Sequence, residues 1–70
     1  MHTDPLIQRL IAKLDDEDPI VRRNAAGALR LHGARALAAV PELRRLLADR
    51  DSRVRDEVQH ALERLDRVAA

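Results

Sequence analysis

The chain has no cysteine, phenylalanine, tyrosine or tryptophan, and a single lysine and two glycines among its 70 residues. Each shortage removes a class of explanation. Without cysteine there is no disulfide, no thiolate metal ligand and no thiol nucleophile. Without aromatic residues the core has to be built from Leu, Ile, Val and Ala, whose small side chains let helix backbones approach closely. Two isolated glycines, Gly27 and Gly33, make no phosphate-cradling loop. The formal net charge of +1 is too small to ask by itself for nucleic acid or an anionic membrane. The apolar stretch within MHTDPLIQRLIAKLDD is too short and too often charged for a signal peptide or a membrane span. A cytoplasmic location and no membrane partner are therefore expected.

What is present is a foldable balance, 46% apolar and 36% charged, in a length near the lower limit for one independent core. Asp4-Pro5 is a helix start: Asp caps free N–H groups and Pro suits the first helical position. Leu6, Ile7, Leu10, Ile11 and Leu14 then recur at helical spacing. Asp15, Asp16 and Glu17 form an acidic turn, and Asp18-Pro19 launches a second helix to about His32, with Gly33 as its stop. On that helix Val21, Ala25, Ala28, Leu29 and His32 fall on one face, with Arg22, Arg23, Ala26 and Arg30 outside it. Pro41 predicts a short helical or 3₁₀ turn over 34–39, a bend at Val40, and a regular helix from Pro41 to about Ala48. Asp51 or Ser52 caps a last helix running to about Arg67.

The chain writes its pattern twice, 33 residues apart. Leu10 matches Leu43, Leu14 matches Leu47, and Asp16 and Asp18 match Asp49 and Asp51. Val21-Arg22 matches Val54-Arg55, and Ala28-Leu29 matches Ala61-Leu62. Two unrelated amphipathic helices would share periodicity but not the Asp-x-x-Val-Arg turn, so the repeat is a duplicated structural unit.

These residues resemble the HEAT repeat family, in its short bacterial and archaeal subclass of PBS-lyase HEAT-like repeats. The carriers are the two D-x-x-V-R turns (Asp18 to Arg22, Asp51 to Arg55), the Ala25 to Leu29 segment, Gly33, and the A-V-P-x-L of Ala39 to Leu43. The resemblance implies an all-α fold, an α-solenoid of two helical hairpins with four main helices. It implies one repeat over 5–33 and another over 34–67, each with an outer and an inner helix. The sequence departs from the pattern at His32, at Val58 and at Asp66, which stands where the first unit has Gly33.

Asp18, Arg22, Asp51 and Arg55 are read as architecture: each Asp caps its helix and each Arg reaches the acidic turn of its own or the adjacent repeat. A partly exposed pair of this kind is worth about 0.2–1 kcal/mol, and the cap roughly 1 kcal/mol. His2, His32 and His60 have no metal-ligand spacing, and Ser52 and Thr3 have no evident His–carboxylate pairing, so neither metal, cofactor nor catalysis is expected. The inner face offers Arg23, Asn24, Gly27 and Arg30 in the first unit and Asp56, Glu57, His60 and Glu63 in the second. Basic then acidic, it suits a protein or peptide of matching charge order. Self-association through the repeat ends is also expected, because two units leave Leu6, Leu10 and Ile11 at one end and Val58, Leu62, Leu65 and Val68 at the other with few neighbours. The alternatives are nucleic acid held by the arginines, which nearby carboxylates oppose, and a bilin-lyase-like enzyme, which lacks aromatic walls for a tetrapyrrole.

Overall fold

A computed structural model describes residues 4–70, and these are all-helical, without a strand among them. Helix α1 spans Pro5–Lys13, α2 Pro19–His32, α3 Val40–Arg45 and α4 Ser52–Ala69. Two 3₁₀ segments, Gly33–Ala39 and Leu46–Ala48, flank α3. Three of these helices begin at an aspartate. Asp4 accepts from the Leu6 N–H at 3.0 Å, Asp18 from the Ile20 N–H at 2.9 Å and Asp51 from the Arg53 N–H at 2.8 Å. Each side chain thereby satisfies a donor that the helix itself leaves unpaired.

The expectation of four main helices needs correction. Three helices have nine or more residues, while the third limb is a 3₁₀–α–3₁₀ composite in which α3 has only six. Pro41 cannot donate to a carbonyl one turn back, so the chain before it winds with shorter bonds, including the Val40 N–H to the Leu37 carbonyl. A 3₁₀ helix eclipses side chains every three residues. Its buried residues follow that period: Gly33, Ala36 and Ala39. The regular helix expected to run to Ala48 gives way to 3₁₀ at Leu46, and α4 extends past Arg67 to Ala69. Gly33 ends α2 with φ +59°, the one positive φ among the described residues. A Cβ in that conformation would be strained, so glycine is what the turn requires.

Helix α2 packs between α1 and α4, and α3 with its 3₁₀ flanks packs on α4. The core is aliphatic: Ile7, Leu14, Leu29, Leu43, Leu46, Val54, Val58, Leu62 and Leu65, with alanines at 25, 26, 36, 39 and 61 between them. On α4 the buried set (Val54, Val58, Ala61, Leu62, Leu65) keeps the spacing of one helical face. Val58, Leu62 and Leu65, expected to lack neighbours at the repeat end, are therefore core instead, and of that group only Val68 is exposed. On α2 the face is rotated from the expected one. Its buried residues are Arg22, Ala25, Ala26 and Leu29, whereas Val21, Ala28 and His32 are only half-buried. The cause is position in the stack. The Arg22–Ala26–Gly33 flank is covered by the second half of the chain, but the Val21–Ala28–His32 flank has no comparable cover among the described residues. Val54, the counterpart of Val21, is fully buried.

Candidate functional site

The most elaborate polar arrangement lies where the two acidic turns meet. Asp16 folds back so that its Oδ1 accepts the Asp18 N–H at 2.8 Å, and Asp49 does the same for the Asp51 N–H at 2.9 Å. Asp-x-Asp writes this turn locally, because a short carboxylate can reach the backbone two residues on. One helical turn into α2, Arg22 donates through Nη1 to the Asp16 and Glu17 carbonyls at 2.6 and 3.0 Å. Arg55 repeats the first of these, donating to the Asp49 carbonyl at 2.7 Å.

Beyond that point the two arginines differ. Arg22 also forks the Asp49 carboxylate, Nε to Oδ2 at 2.8 Å and Nη2 to Oδ1 at 3.1 Å. It is 7% exposed and the Asp49 side chain 6%. This is a bidentate, charge-assisted pair withdrawn from water, and it ties the first turn to the second. Burial works to raise the Asp49 pKa, but the Arg22 hydrogen bonds and the Asp51 N–H together hold it below the ordinary aspartate value. The Asp49 carboxylate in turn raises the Arg22 pKa. Arg55 has no carboxylate partner among the described residues and is exposed.

The sequence reading placed these charges in Asp18, Arg22, Asp51 and Arg55. Asp18 and Asp51 stand at helix starts, and Arg22 reaches both its own acidic turn and the adjacent one, where Asp49 supplies the carboxylate. The pair is also buried, so the modest value of a surface ion pair does not apply to it. The signal for Asp49 was present as the Asp16/Asp49 match. What periodicity could not supply was which turn faces which guanidinium.

The eight residues expected on an inner binding face do not all lie on a free surface. Gly27, Arg30 and Glu57 belong to the contact between α2 and α4: Arg30 Nε donates to Glu57 Oε2 at 2.9 Å, and a Cβ on Gly27 would lie 3.5 Å from that same carboxylate. The basic first unit and acidic second unit therefore neutralise one another in part across the helix pair. Asn24, Asp56, His60 and Glu63 are exposed, and Arg23 is half-buried with Nη2 at 3.4 Å from Asn24 Oδ1. Further ion pairs join Arg35 to Asp4, Arg45 to Asp15 and Glu42, and Arg53 to Asp51. His2 and Thr3 lie outside the described residues. Among the described residues no trio of His, Cys, Asp or Glu is arranged to hold a metal ion, and no helix is long and apolar enough to cross a membrane.

At the far side of α4 a shallow, mainly apolar depression of ≈ 490 Å³ is lined by Arg44, Leu47, Gln59, Leu62, Glu63 and Asp66. Leu47 is 46% exposed there. Other large apolar residues at the surface are Leu6, Leu31, Leu37 and Val68.

No curated protein and no solved structure matches the chain. The family model for HEAT repeats matches residues 4–70. That span takes in both aspartate-capped turns, the Arg22–Asp49 fork between them and the aliphatic helix layers they align. The chain belongs to the HEAT repeat family.

Proposed function

We propose that this protein is a non-catalytic protein-interaction scaffold of two HEAT-like repeats, 5–33 and 34–67, that assembles with itself through its repeat ends. HEAT repeats commonly mediate protein–protein contact and are typically not catalytic. The D-x-x-V-R turns and the A-V-P-x-L segment support placing this chain in the short PBS-lyase HEAT-like subclass. One observation carries the reading. The buried polar groups are committed to architecture, while apolar positions that a neighbouring layer would cover, such as Leu6 and Leu47, stay open. A solenoid layer buries its flank on the next layer, so an uncovered flank is a binding surface. Arg23, Asn24, Asp56, His60 and Glu63 offer a second, polar surface for a protein or peptide.

Nucleic-acid binding has less support, because the formal net charge is only +1 and Arg22, Arg30, Arg35, Arg45 and Arg53 are each matched to a carboxylate. The test of self-assembly is sedimentation velocity across a wide concentration range. Mass rising with concentration is expected; a monomer persisting at high micromolar concentration would refute it.

A further inference from the structure

We infer that a second copy of this chain docks head to tail, its Asp16 forked by Arg55 of the first copy; this specifies, and rests on, the self-assembly proposed above.

The join between the two halves of the chain has two sides, and each can be followed 33 residues along. On the first side lie Leu14, Arg22, Ala26, Leu29 and Gly33, all buried. Their counterparts Leu47, Arg55, Gln59 and Asp66 are exposed, and Leu47, Gln59 and Asp66 line the apolar depression together with Leu62. On the second side lie Ala39, Leu43, Val54, Ala61 and Leu65, each 0% exposed. Their counterparts Leu6, Leu10, Val21, Ala28 and His32 are all partly open, with Leu6 at 37%. Among the described residues, each end thus leaves open the positions that correspond to one side of the internal join, with Gln59 and Asp66 standing where that join has Ala26 and Gly33.

The polar contacts translate in the same register. Arg55 holds the Asp49 carbonyl as Arg22 holds that of Asp16, which leaves free the Nε–Nη2 edge that Arg22 uses on Asp49. Asp16 accepts the Asp18 N–H as Asp49 accepts that of Asp51, and its carboxylate has no arginine among the described residues. The Arg22–Asp49 fork accordingly becomes Arg55 on the next copy's Asp16. The Arg30–Glu57 pair becomes Glu63 with the next copy's Asn24, an amide donor for a carboxylate. Beside it, Gly27 against Glu57 becomes His60 against Asn24, which adds side-chain bulk, so the exposed His60 has to turn outward at the junction. The Arg45–Asp15 pair becomes Ala48 against Ala12, both exposed. The Arg35–Asp4 pair translates onto residue 2, outside the described residues. None of the three pairs within the described residues sets like charges together, which is what register specificity demands. Because the two faces differ, each junction leaves a fresh face at either end, and assembly is open-ended.

Sedimentation velocity on the full chain tests this with Arg55→Ala, which breaks one face, and Asp16→Asn, which weakens the other while keeping an acceptor for the Asp18 N–H. Wild type is expected to grow past a dimer with concentration. Each variant alone is expected to associate about tenfold or more weakly. Mixed in equal amounts, the Asp16→Asn chain offers an intact Arg55 to the intact Asp16 of the Arg55→Ala chain. A heterodimer of wild-type affinity that stops at two is then expected. A mixture no tighter than either variant, or a wild type that closes at a symmetric dimer, overturns the inference. Should Arg55→Ala fail to fold by circular dichroism, Arg55→Lys keeps the charge, loses the fork and is expected to weaken the junction severalfold. A wild type that never associates removes the self-assembly reading itself; one that associates but ignores both substitutions removes only this register.

Discussion

Arg22→Ala is expected to be among the most destabilising substitutions in this fold. The wild-type guanidinium makes two bonds to Asp49 and two to the Asp16 and Glu17 carbonyls, from a site 7% exposed to water. Truncation leaves the Asp49 carboxylate buried with only the Asp51 N–H, and removing one partner of a buried pair costs about 3–5 kcal/mol. A domain of this length has roughly 3.5–10 kcal/mol in total, at about 0.05–0.15 kcal/mol per residue. The variant is therefore expected to sit at or near the edge of folding, with Tm lowered by at least about 12 °C. Arg55→Ala is the internal control: the same residue type in the same turn, exposed, with one bond to a carbonyl and a cost of about 1 kcal/mol or less. Because the chain has no aromatic residue, the assay is urea unfolding followed by far-ultraviolet circular dichroism rather than fluorescence. It is run at a concentration low enough for monomers. A double-mutant cycle of Arg22→Ala with Asp49→Ala cancels the lost Asp51 N–H acceptor and isolates the pair. Coupling above about 1.5 kcal/mol is expected. If Arg22→Ala costs no more than Arg55→Ala, the burial argument is wrong.

Other outcomes follow from the same geometry. Gly27→Ala places a methyl 3.5 Å from the Glu57 carboxylate, an ordinary contact, and should raise the urea midpoint through a gain of about 0.5–1 kcal/mol from restricting the unfolded helix segment. Gly33→Ala has open space around it but φ +59° and ψ −129°, so it should instead lower stability by about 1–3 kcal/mol, read by thermal melting. Asp18→Ala removes the acceptor for the Ile20 N–H and should cost about 1 kcal/mol, with Asp18→Asn recovering most of it. In acid, Asp4 (held down by Arg35), Asp49 and Asp51 (held down by Arg53) all have folded pKa values below the ordinary 3.8. The unfolded chain then binds more protons than the folded one as pH falls through that value. Stability should be complete above about pH 4 and decline as pH falls through the depressed folded values, seen in urea midpoints from neutral to acid.

Local chemistry was readable without coordinates wherever a residue's job depends on its own neighbours in sequence. Asp4, Asp18 and Asp51 start helices because each is followed by residues whose N–H groups need an acceptor. Gly33 ends one because its backbone must turn where a side chain forbids it. Pro41 marked the 3₁₀ segment, although not its return at Leu46, which the spacing of apolar residues alone did not reveal. The inner-face residues were less legible. Arg30 and Glu57 lie 27 positions apart on different helices, and an outward-looking helical position is solvated only if no other helix lies against it.

Sequence by itself determined that this is a duplicated helical chain with capped turns and an aliphatic core, since caps, turns and hydrophobic period act over a few residues. Tertiary structure alone decided that Arg22 is buried and Arg55 is not, though both stand in the same written motif. The physical reason is neighbours: a second turn covers the first arginine and supplies Asp49, and no described residue does so for the second. The same asymmetry makes Val54 core and leaves Val21 half-open.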